Sequence, residues 1–513
     1  MENNLNATNI GWTAVIIVSL SSFIISLDNT FMNVAISNLV VDLNTTVPII
    51  QIIITVYALT MASLMLLGSK MQDVWGRKTT FLLGAVIFGI GTVIAALSVN
   101  AAMLLVGWSI LEGIGAALMT PATASIIIGS YSGDKSTQAM GIRTSFAAVG
   151  AGFGPLIGGL LTTFFSWRWG FGLELIIIIV ILAFSKNLKS FPSSIKFSDL
   201  DKIGIILSSS GIFVLVLGIL SLNTTTDIKY SPYIIGFGIL LLLMFFLREK
   251  NAGTRDKIPI IDIKLFRNRN FTLGTLSRMI LSLALAGTVF VMPVFFQQEI
   301  GYNAFITGLA ILPLTAGVLL FSTLSSRLSK RIEPQNLISF GFFIALISTL
   351  LLSYQFNLNT HISTIIPATF LLGMGLGLAL PLTANVILSS VSSVKHSDAS
   401  GIMSTSASLG TSMGTAIIGV VLILATINGL YSTYDQLYPN QFTKSQINEK
   451  FTIYEKKVNT TTHEALQKDQ NSTLYQIVDH TVQNAMRTVF EFISIIFLIS
   501  FIVSLFIKPI KRK

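Results

Sequence analysis

Residues 112–127 read EGIGAALMTPATASII, and residues 372–387 read LGMGLGLALPLTANVI. The two stretches lie 260 residues apart, and that offset sets Gly113 on Gly373, Gly115 on Gly375, Pro121 on Pro381, Thr123 on Thr383 and Ala124 on Ala384. Carried outward, it pairs Gly141 with Gly401, Gly150 with Gly410, Gly154 with Gly414, Gly159 with Gly419, and Ser69–Lys70 with Ser329–Lys330. A single pair of glycines would be weak. One offset that serves two consecutive segments implies two homologous halves. Parallel repeats with a binding site near the membrane midplane between them are a transporter architecture.

The rest of the chain fits a lipid environment. Of 513 residues, 52% are hydrophobic and 11% charged, with a mean hydropathy of +0.75. Soluble domains carry about 25% charged residues. Apolar runs long enough to cross a bilayer recur throughout. They are expected at 11–34, 48–68, 79–97, 102–128, 136–163, 168–185, 201–222, 231–247, 271–296, 304–327, 336–354, 361–388, 398–428 and 484–507. The first of them is too long for a signal-peptide core and lacks a cleavage site, so it reads as a retained helix.

The expected fold is therefore an all-α polytopic membrane protein with 14 transmembrane helices. A six-helix bundle spans 1–190, two inserted helices and their linkers span 191–265, and a second six-helix bundle spans 266–513. An extracytoplasmic loop is expected at about 428–483.

Basic residues sort by loop. One set of loops carries Lys70, Arg77 and Lys78, then Lys135 and Arg143, then Lys186, Lys189 and Lys196. Arg248, Lys264, Arg267 and Arg269, then Arg327 and Arg331, continue the series, and the tail ends on Lys511, Arg512 and Lys513. The alternate short loops are nearly bare, with Arg168 and Lys229 the main exceptions. Basic loops stay cytoplasmic, so both termini are expected inside a cell membrane. The net charge of +10 is thereby absorbed by topology, with no nucleic-acid partner needed.

The absence of cysteine excludes disulfides and thiolate chemistry. No phosphate-binding glycine loop is present, so no ATP use is expected. Neither a cofactor nor a metal site is expected. The string GTSMG from Gly410 fits a nucleophile elbow, but it lies inside an apolar span, where glycines serve packing.

Three further stretches carry chemistry. SKMQDVWGRKTTF from Ser69 sets a glycine turn, Gly76, between Asp73 and the pair Arg77–Lys78. Charges placed so can break and reform contacts between two states. GAGFGPLIGG from Gly150 puts Gly150, Gly154 and Gly158 on one helix face, which lets helices approach closely. Pro155 removes a backbone donor there. LDNTFMNVAIS from Leu27 places Asp28 within an apolar span. A carboxylate at membrane depth costs about 2.5–3.5 kcal/mol on insertion scales and usually lines a cavity or proton path. Asn29 and Asn33 lie near enough in sequence to hydrogen-bond it. The alternative is a structural carboxylate at the outer interface.

These stretches together resemble the major facilitator superfamily, and specifically its fourteen-helix drug/proton antiporter branch of the QacA/EmrB type. The first is similar to the superfamily loop G-x-L-A-D-R-x-G-R-[KR] at Asp73, Gly76, Arg77 and Lys78. Ser69 replaces its first glycine and Val74 its first arginine. The second is similar throughout to the antiporter pattern G-x-x-x-G-P-x-x-G-G, at Gly150, Gly154, Pro155, Gly158 and Gly159. The third is similar to L-D-x-T-[IV]-V-N-V-A-L-P at Asp28, Thr30 and Asn33, with Ser37 at the usual proline. The fourth span departs from its pattern R-x-x-Q-G-x-G-A-A, since Ser109 stands at the arginine and Glu112 at the glutamine.

The resemblance implies a proton-driven secondary transporter that exports organic compounds, and not an enzyme. Its partners would be protons, a small organic substrate and the bilayer, and it would act as a monomer. The alternative is a narrower exporter or facilitator with non-standard or no proton coupling. Asp28, Asn33, Glu112 and Glu174 are the expected proton-coupling or substrate-binding residues. Glu112 either replaces the missing proton site or attracts a cationic substrate; otherwise it is a neutral hydrogen-bonding acid. Arg487 and Glu491, four apart, read as a helical ion pair. Phe295, Phe296 and Tyr302 line an apolar pocket, face lipid or serve packing.

Overall fold

The computed structural model describes residues 12–131, 133–193, 195–223, 229–250, 258–329, 331–391, 396–437 and 473–509. Among them are fourteen long helices and no named strand. The first half holds α1 (Thr13–Val34), α2 (Val47–Trp75), α3 (Arg77–Ala96) and α4. The last is built from Ala101–Leu104, a π-helical stretch Leu105–Glu112, and Gly113–Ser130. α5 (Gly133–Phe164) and α6 (Arg168–Ala183) follow. Then come α7 (Lys202–Leu220) and α8 (Ser231–Lys250). The second half holds α9 (Arg269–Val294, continued by a π-helical turn Phe295–Glu299), α10 (Ala304–Leu328), α11 (Pro334–Leu352), α12 (Ile362–Ser389), α13 (His396–Leu437) and α14 (Thr473–Leu505). Thirteen of these are at least 18 residues long and apolar enough to cross a bilayer, whereas α6 has 16 residues.

Local chemistry sets the ends. Asn100, Asn268 and Asn303 cap α4, α9 and α10 by accepting first-turn N–H groups. Pro48 and Pro334 occupy the first turns of α2 and α11, where a missing N–H is harmless. α2 stops at Gly76, whose φ of 86° lies in the region open mainly to glycine.

Two differences from the expected spans share one cause. α13 runs to Leu437 rather than 428, and α14 starts at Thr473 rather than 484. The added stretches are amphipathic, and an average over hydropathy misses them. In α14, Tyr475, Val478, Val482 and Met486 are buried while His480 and Arg487 face outward. Of the expected outer loop, residues 438–472 lie outside the described residues.

Each half has its own main apolar core, and that of the first half also takes in Phe290 and Val294 of α9. One is centred on Phe31, Phe88, Trp108 and Phe171. The other contains Phe295, Phe296, Phe356 and Phe490. Phe295 and Phe296 are fully buried packing residues, Phe295 edge-on to Phe356 at 4.9 Å, so the pocket-lining alternative for them falls away.

The halves meet along two seams, α2 on α13 and α5 on α10. Gln51 Nε2 donates to Thr415 O at 3.0 Å and Ser412 Oγ to Thr55 O at 3.2 Å on the first. On the second, a Cβ added to Gly159 would collide with Ala304 O, and one added to Gly308 would collide with Pro155 O. Close backbone approach thus requires glycine on both sides of that seam. α7 leans on α2 and α13, with Ser209 Oγ donating to Ser63 O at 2.7 Å, and α8 packs on α7. The two extra helices therefore stand outside the first seam.

Candidate functional site

The glycine face of α5 determines how α1 sits. A Cβ added to Gly150 would collide with Phe23 O, one added to Gly154 with the Thr30 hydroxyl, and one at Gly158 would lie 2.8 Å from Phe31 Cβ. α1 is thereby pressed into the first half, and Asp28 turns toward α4 and α6.

Three carboxyl groups meet there. Asp28 on α1, Glu112 on α4 and Glu174 on α6 are each 0% exposed. One oxygen from each lies within 4.8 Å of the others. Room for Glu112 comes from α3: a Cβ at Gly91 would stand 2.8 Å from Glu112 Cγ. Glu112 also closes the π-helical stretch of α4, a distortion that re-aims side chains and often marks functional sites.

Trp108 Nε1 donates to Asp28 Oδ1 at 2.6 Å, and the indole stacks on Tyr57 at 5.2 Å. Asp28 Oδ2, both oxygens of Glu112 and of Glu174, and the Tyr57 hydroxyl are buried and form no hydrogen bond of full geometry, although Tyr57 and Glu112 are polar neighbours of Asp28 and Thr92 of Glu112. Among the described residues, no lysine or arginine forms an ion pair with any of the three acids. Two carboxylates 4.8 Å apart repel by about 3.5 kcal/mol at an effective dielectric of about 20. Three ionised carboxylates this close, with no basic side chain paired to them among the described residues, would repel one another strongly. Asp28 and Glu174 each lie six residues, about 9 Å, from the helix ends on the face expected to be outside.

Asp28, Glu112 and Glu174 are thus brought together, and Asn33 is not. Asn33 Nδ2 donates to Asn29 O at 3.2 Å, and Asn29 Nδ2 to Ile25 O at 2.6 Å. The expected amide bonds to Asp28 are absent because each amide satisfies the carbonyl one turn back. Trp108, which sequence reasoning missed, takes that role. Its signal was its position four residues before Glu112, on the same helix face. Ser109, at the position of the family's arginine, donates to Ile53 O at 2.7 Å and ties α4 to α2.

In the loop after α2, Arg77 Nη1 donates to Ser125 O at 2.7 Å and lies over the Phe191 ring at 4.8 Å. Lys78 Nζ donates to Leu188 O at 3.0 Å. The basic groups therefore hold carbonyls at the ends of their own half. The link across the halves is made by Lys70, whose Nζ lies 3.4 Å from Asp398 Oδ1 on α13. Part-exposed pairs contribute about 0.2–1 kcal/mol. Asp398→Asn is expected to favour separation of these ends by roughly two- to fivefold. The measurement is the alkylation rate of a cysteine at Ser69, which is buried and lies 3.4 Å from the place of a Cβ at Gly401 on α13. Exchanging the charges (Lys70→Asp with Asp398→Lys) should restore the slow rate; an unchanged rate in the single variant would show that this pair closes nothing. Arg487 and Glu491 form the expected helical pair at 2.8 Å on the surface of α14.

Two separately cored helical halves joined along two seams, with a protonatable cluster sealed inside one of them, define a multi-pass secondary transporter. The chain belongs to the Major Facilitator Superfamily, which matches residues 18–415. It is 26% identical over 424 residues to the methylenomycin A resistance protein of Bacillus subtilis, covering 82% of this chain and 89% of that protein. It is 25% identical over 510 residues to the probable multidrug resistance protein EmrY of Escherichia coli, covering 97% and 95%. The multidrug efflux pump LfrA of Mycolicibacterium smegmatis is 26% identical, covering 80% of each chain. Among solved structures, a bacterial homologue of the human lysosomal transporter Spinster matches with a TM-score of 0.59 at 14% identity, covering 97% of each chain. A peptide transporter in complex with alafosfalin matches with a TM-score of 0.63 at 13% identity, covering 96% and 94%. These two show the shared fold.

Proposed function

We propose that this protein exports small organic compounds across the cell membrane in exchange for protons, acting as a monomer with both termini in the cytoplasm. The observation that carries the reading is the buried Asp28/Glu112/Glu174 cluster, in which one oxygen from each acid lies within 4.8 Å of the others and, among the described residues, no basic side chain pairs with them. A cluster of this kind must change its proton content whenever water reaches it. α1 and α4, which supply two of the acids, also touch the opposite half, so a change in the cluster bears on how the halves meet. The resistance and efflux relatives support organic substrates and outward direction.

The test is fluorescent-dye efflux from cells overproducing the protein. Nigericin, which exchanges potassium for protons and collapses the pH gradient, should stop efflux within the time of its action. Replacing sodium by choline should leave efflux unchanged. Efflux that survives nigericin and fails without sodium would show that the cluster carries sodium and would sink the proton assignment. Topology is checked separately, since the chain has no cysteine of its own. Cysteines at Lys196 and Arg267 should label only after the membrane is permeabilised, and labelling in intact cells would invert the orientation.

A further inference from the structure

Two guanidinium groups sit inside the helical bundle with no role in the carboxyl cluster. Arg143 on α5 donates Nε–H to Ser22 Oγ of α1 at 3.1 Å and to Thr123 Oγ1 of α4 at 3.0 Å. Arg278 on α9 donates from Nη1 to Leu380 O of α12 at 2.9 Å, and its buried Nε has no partner. Among the described residues, neither forms an ion pair with a carboxylate. Each residue keeps some exposed surface while its guanidinium is enclosed by the surrounding helices. A cation held at membrane depth without a counter-charge is expensive, and such residues mark substrate or ion paths.

Their positions correspond across the repeat. Gly150 faces the Phe23 carbonyl and Gly154 the Leu27 carbonyl; Gly410 faces that of Met279 and Gly414 that of Leu283. Met279 therefore matches Phe23, which puts Arg278 at the place of Ser22, the residue that Arg143 grips. Their other partners lie on equivalent helices one turn apart, since the offset sets Thr123 on Thr383 and Leu380 on Thr120, near the superposed prolines Pro121 and Pro381. The arginines themselves are not repeat partners, since the offset sets Arg143 on Met403. Each half has acquired a guanidinium at the same place from a different helix, so duplication alone does not explain the pair.

That place lies toward the expected cytoplasmic ends of helices that meet the opposite half. Ser22 and Arg278 each lie nine residues, about 13 Å, from the cytoplasmic starts of α1 and α9. α1, α4, α5 and α9 all touch the opposite half. Gly141, two residues from Arg143, borders open space. The carboxyl cluster lies toward the other face, enclosed by α1, α4 and α6, and neutralises neither arginine.

We propose that the cavity between the halves takes an organic anion, an apolar body bearing a carboxylate, sulfonate or phosphate group, and that Arg143 and Arg278 hold that group. A guanidinium presents a planar fork matched to the oxygens of such groups, whereas a cationic substrate would meet two uncompensated positive charges. For transport, the inference rests on the export reading above; for binding, it does not.

The test is equilibrium binding to the purified full-length protein. The probes are two dansyl dyes with the same apolar body, one ending in a sulfonate and the other in a trimethylammonium. The wild-type protein should bind the sulfonate at least about tenfold more tightly. R143Q and R278Q should each weaken sulfonate binding about tenfold or more and leave ammonium binding unchanged or stronger, with R143K and R278K recovering part of the loss. A wild-type preference for the ammonium dye, or Gln variants that bind the sulfonate as wild type does, would overturn the proposal. So would equal protection against thermal unfolding by inorganic sulfate alone, because the apolar body would then be irrelevant. If the Gln variants do not fold, the wild-type preference decides. Intact sulfonate binding with no efflux of either dye would remove the export reading and leave this one standing. Dye efflux with no loss of sulfonate binding in the Gln variants would do the reverse.

Discussion

Asp28→Asn and Glu112→Gln are each expected to reduce uphill export about 100-fold, the loss of roughly 3 kcal/mol of coupling between proton and substrate. Export is measured as dye efflux against a concentration gradient in energised cells, and abundance by immunoblot. Both substitutions keep side-chain shape. In the Asp28→Asn variant the new amide oxygen can still accept the Trp108 N–H that Asp28 Oδ1 accepts at 2.6 Å. What each removes is one proton site from a cluster whose oxygens lie within 4.8 Å.

Stability should move the other way. Replacing one buried carboxyl by a neutral amide lowers mutual repulsion in the cluster, so neither variant should melt below wild type. Downhill dye exchange, which needs no proton, should survive. A structural carboxylate predicts the opposite pattern, with less folded protein and both modes of transport lost together. If Glu112→Gln pumps as wild type does between pH 6 and 8 while Asp28→Asn does not, then Glu112 is a spectator and Asp28 carries the proton without it.

The repeat, the spans and the glycine motif were legible in the sequence because each is a periodic or spaced signal along one helix. Gly113 and Gly373, read as equivalent from the 260 offset, both turn a bare backbone to a neighbouring helix, against Thr60 and Leu314 respectively. Asp28 and Glu112 stood out because a charge in an apolar run is costly wherever it points. Their meeting with Glu174 was not legible, since it depends on the rotation of three helices distant in sequence. The π-helical stretch before Glu112 adds a local turn that no apolar period encodes. Asn33 misled for a related reason: proximity along α1 favoured an amide–carboxyl bond, but the amide bonds the carbonyl one turn back. Lys70 read as one loop charge among several, and only the seam of α2 with α13 gives it Asp398 as a partner.

Gly150→Ala is expected to destabilise the protein by about 1–3 kcal/mol, the range of overpacking in a filled core, while Gly141→Ala on the same helix leaves stability unchanged or raises it by up to about 1 kcal/mol. Both glycines belong to the repeat, so sequence alone treats them alike. The structure separates them. A Cβ at Gly150 would collide with Phe23 O and stand 3.1 Å from its carbonyl carbon, whereas a Cβ at Gly141 meets nothing within 4 Å. A backbone carbonyl cannot rotate away as a side chain would, so α1 must shift bodily. Asp28 lies five residues beyond Phe23 on the same helix, and its 2.6 Å bond to Trp108 leaves little room for that shift. Gly150→Ala should therefore lower both the melting temperature and uphill export. Gly410→Ala, which meets Met279 O in the same way on α9, should lower the melting temperature alike. The measurement is thermal unfolding of the purified variants by intrinsic fluorescence, beside dye efflux in cells. Equal melting temperatures for the Gly150 and Gly141 variants would mean that α1 and α5 do not touch as described, and that the glycine face does not position the carboxyl cluster.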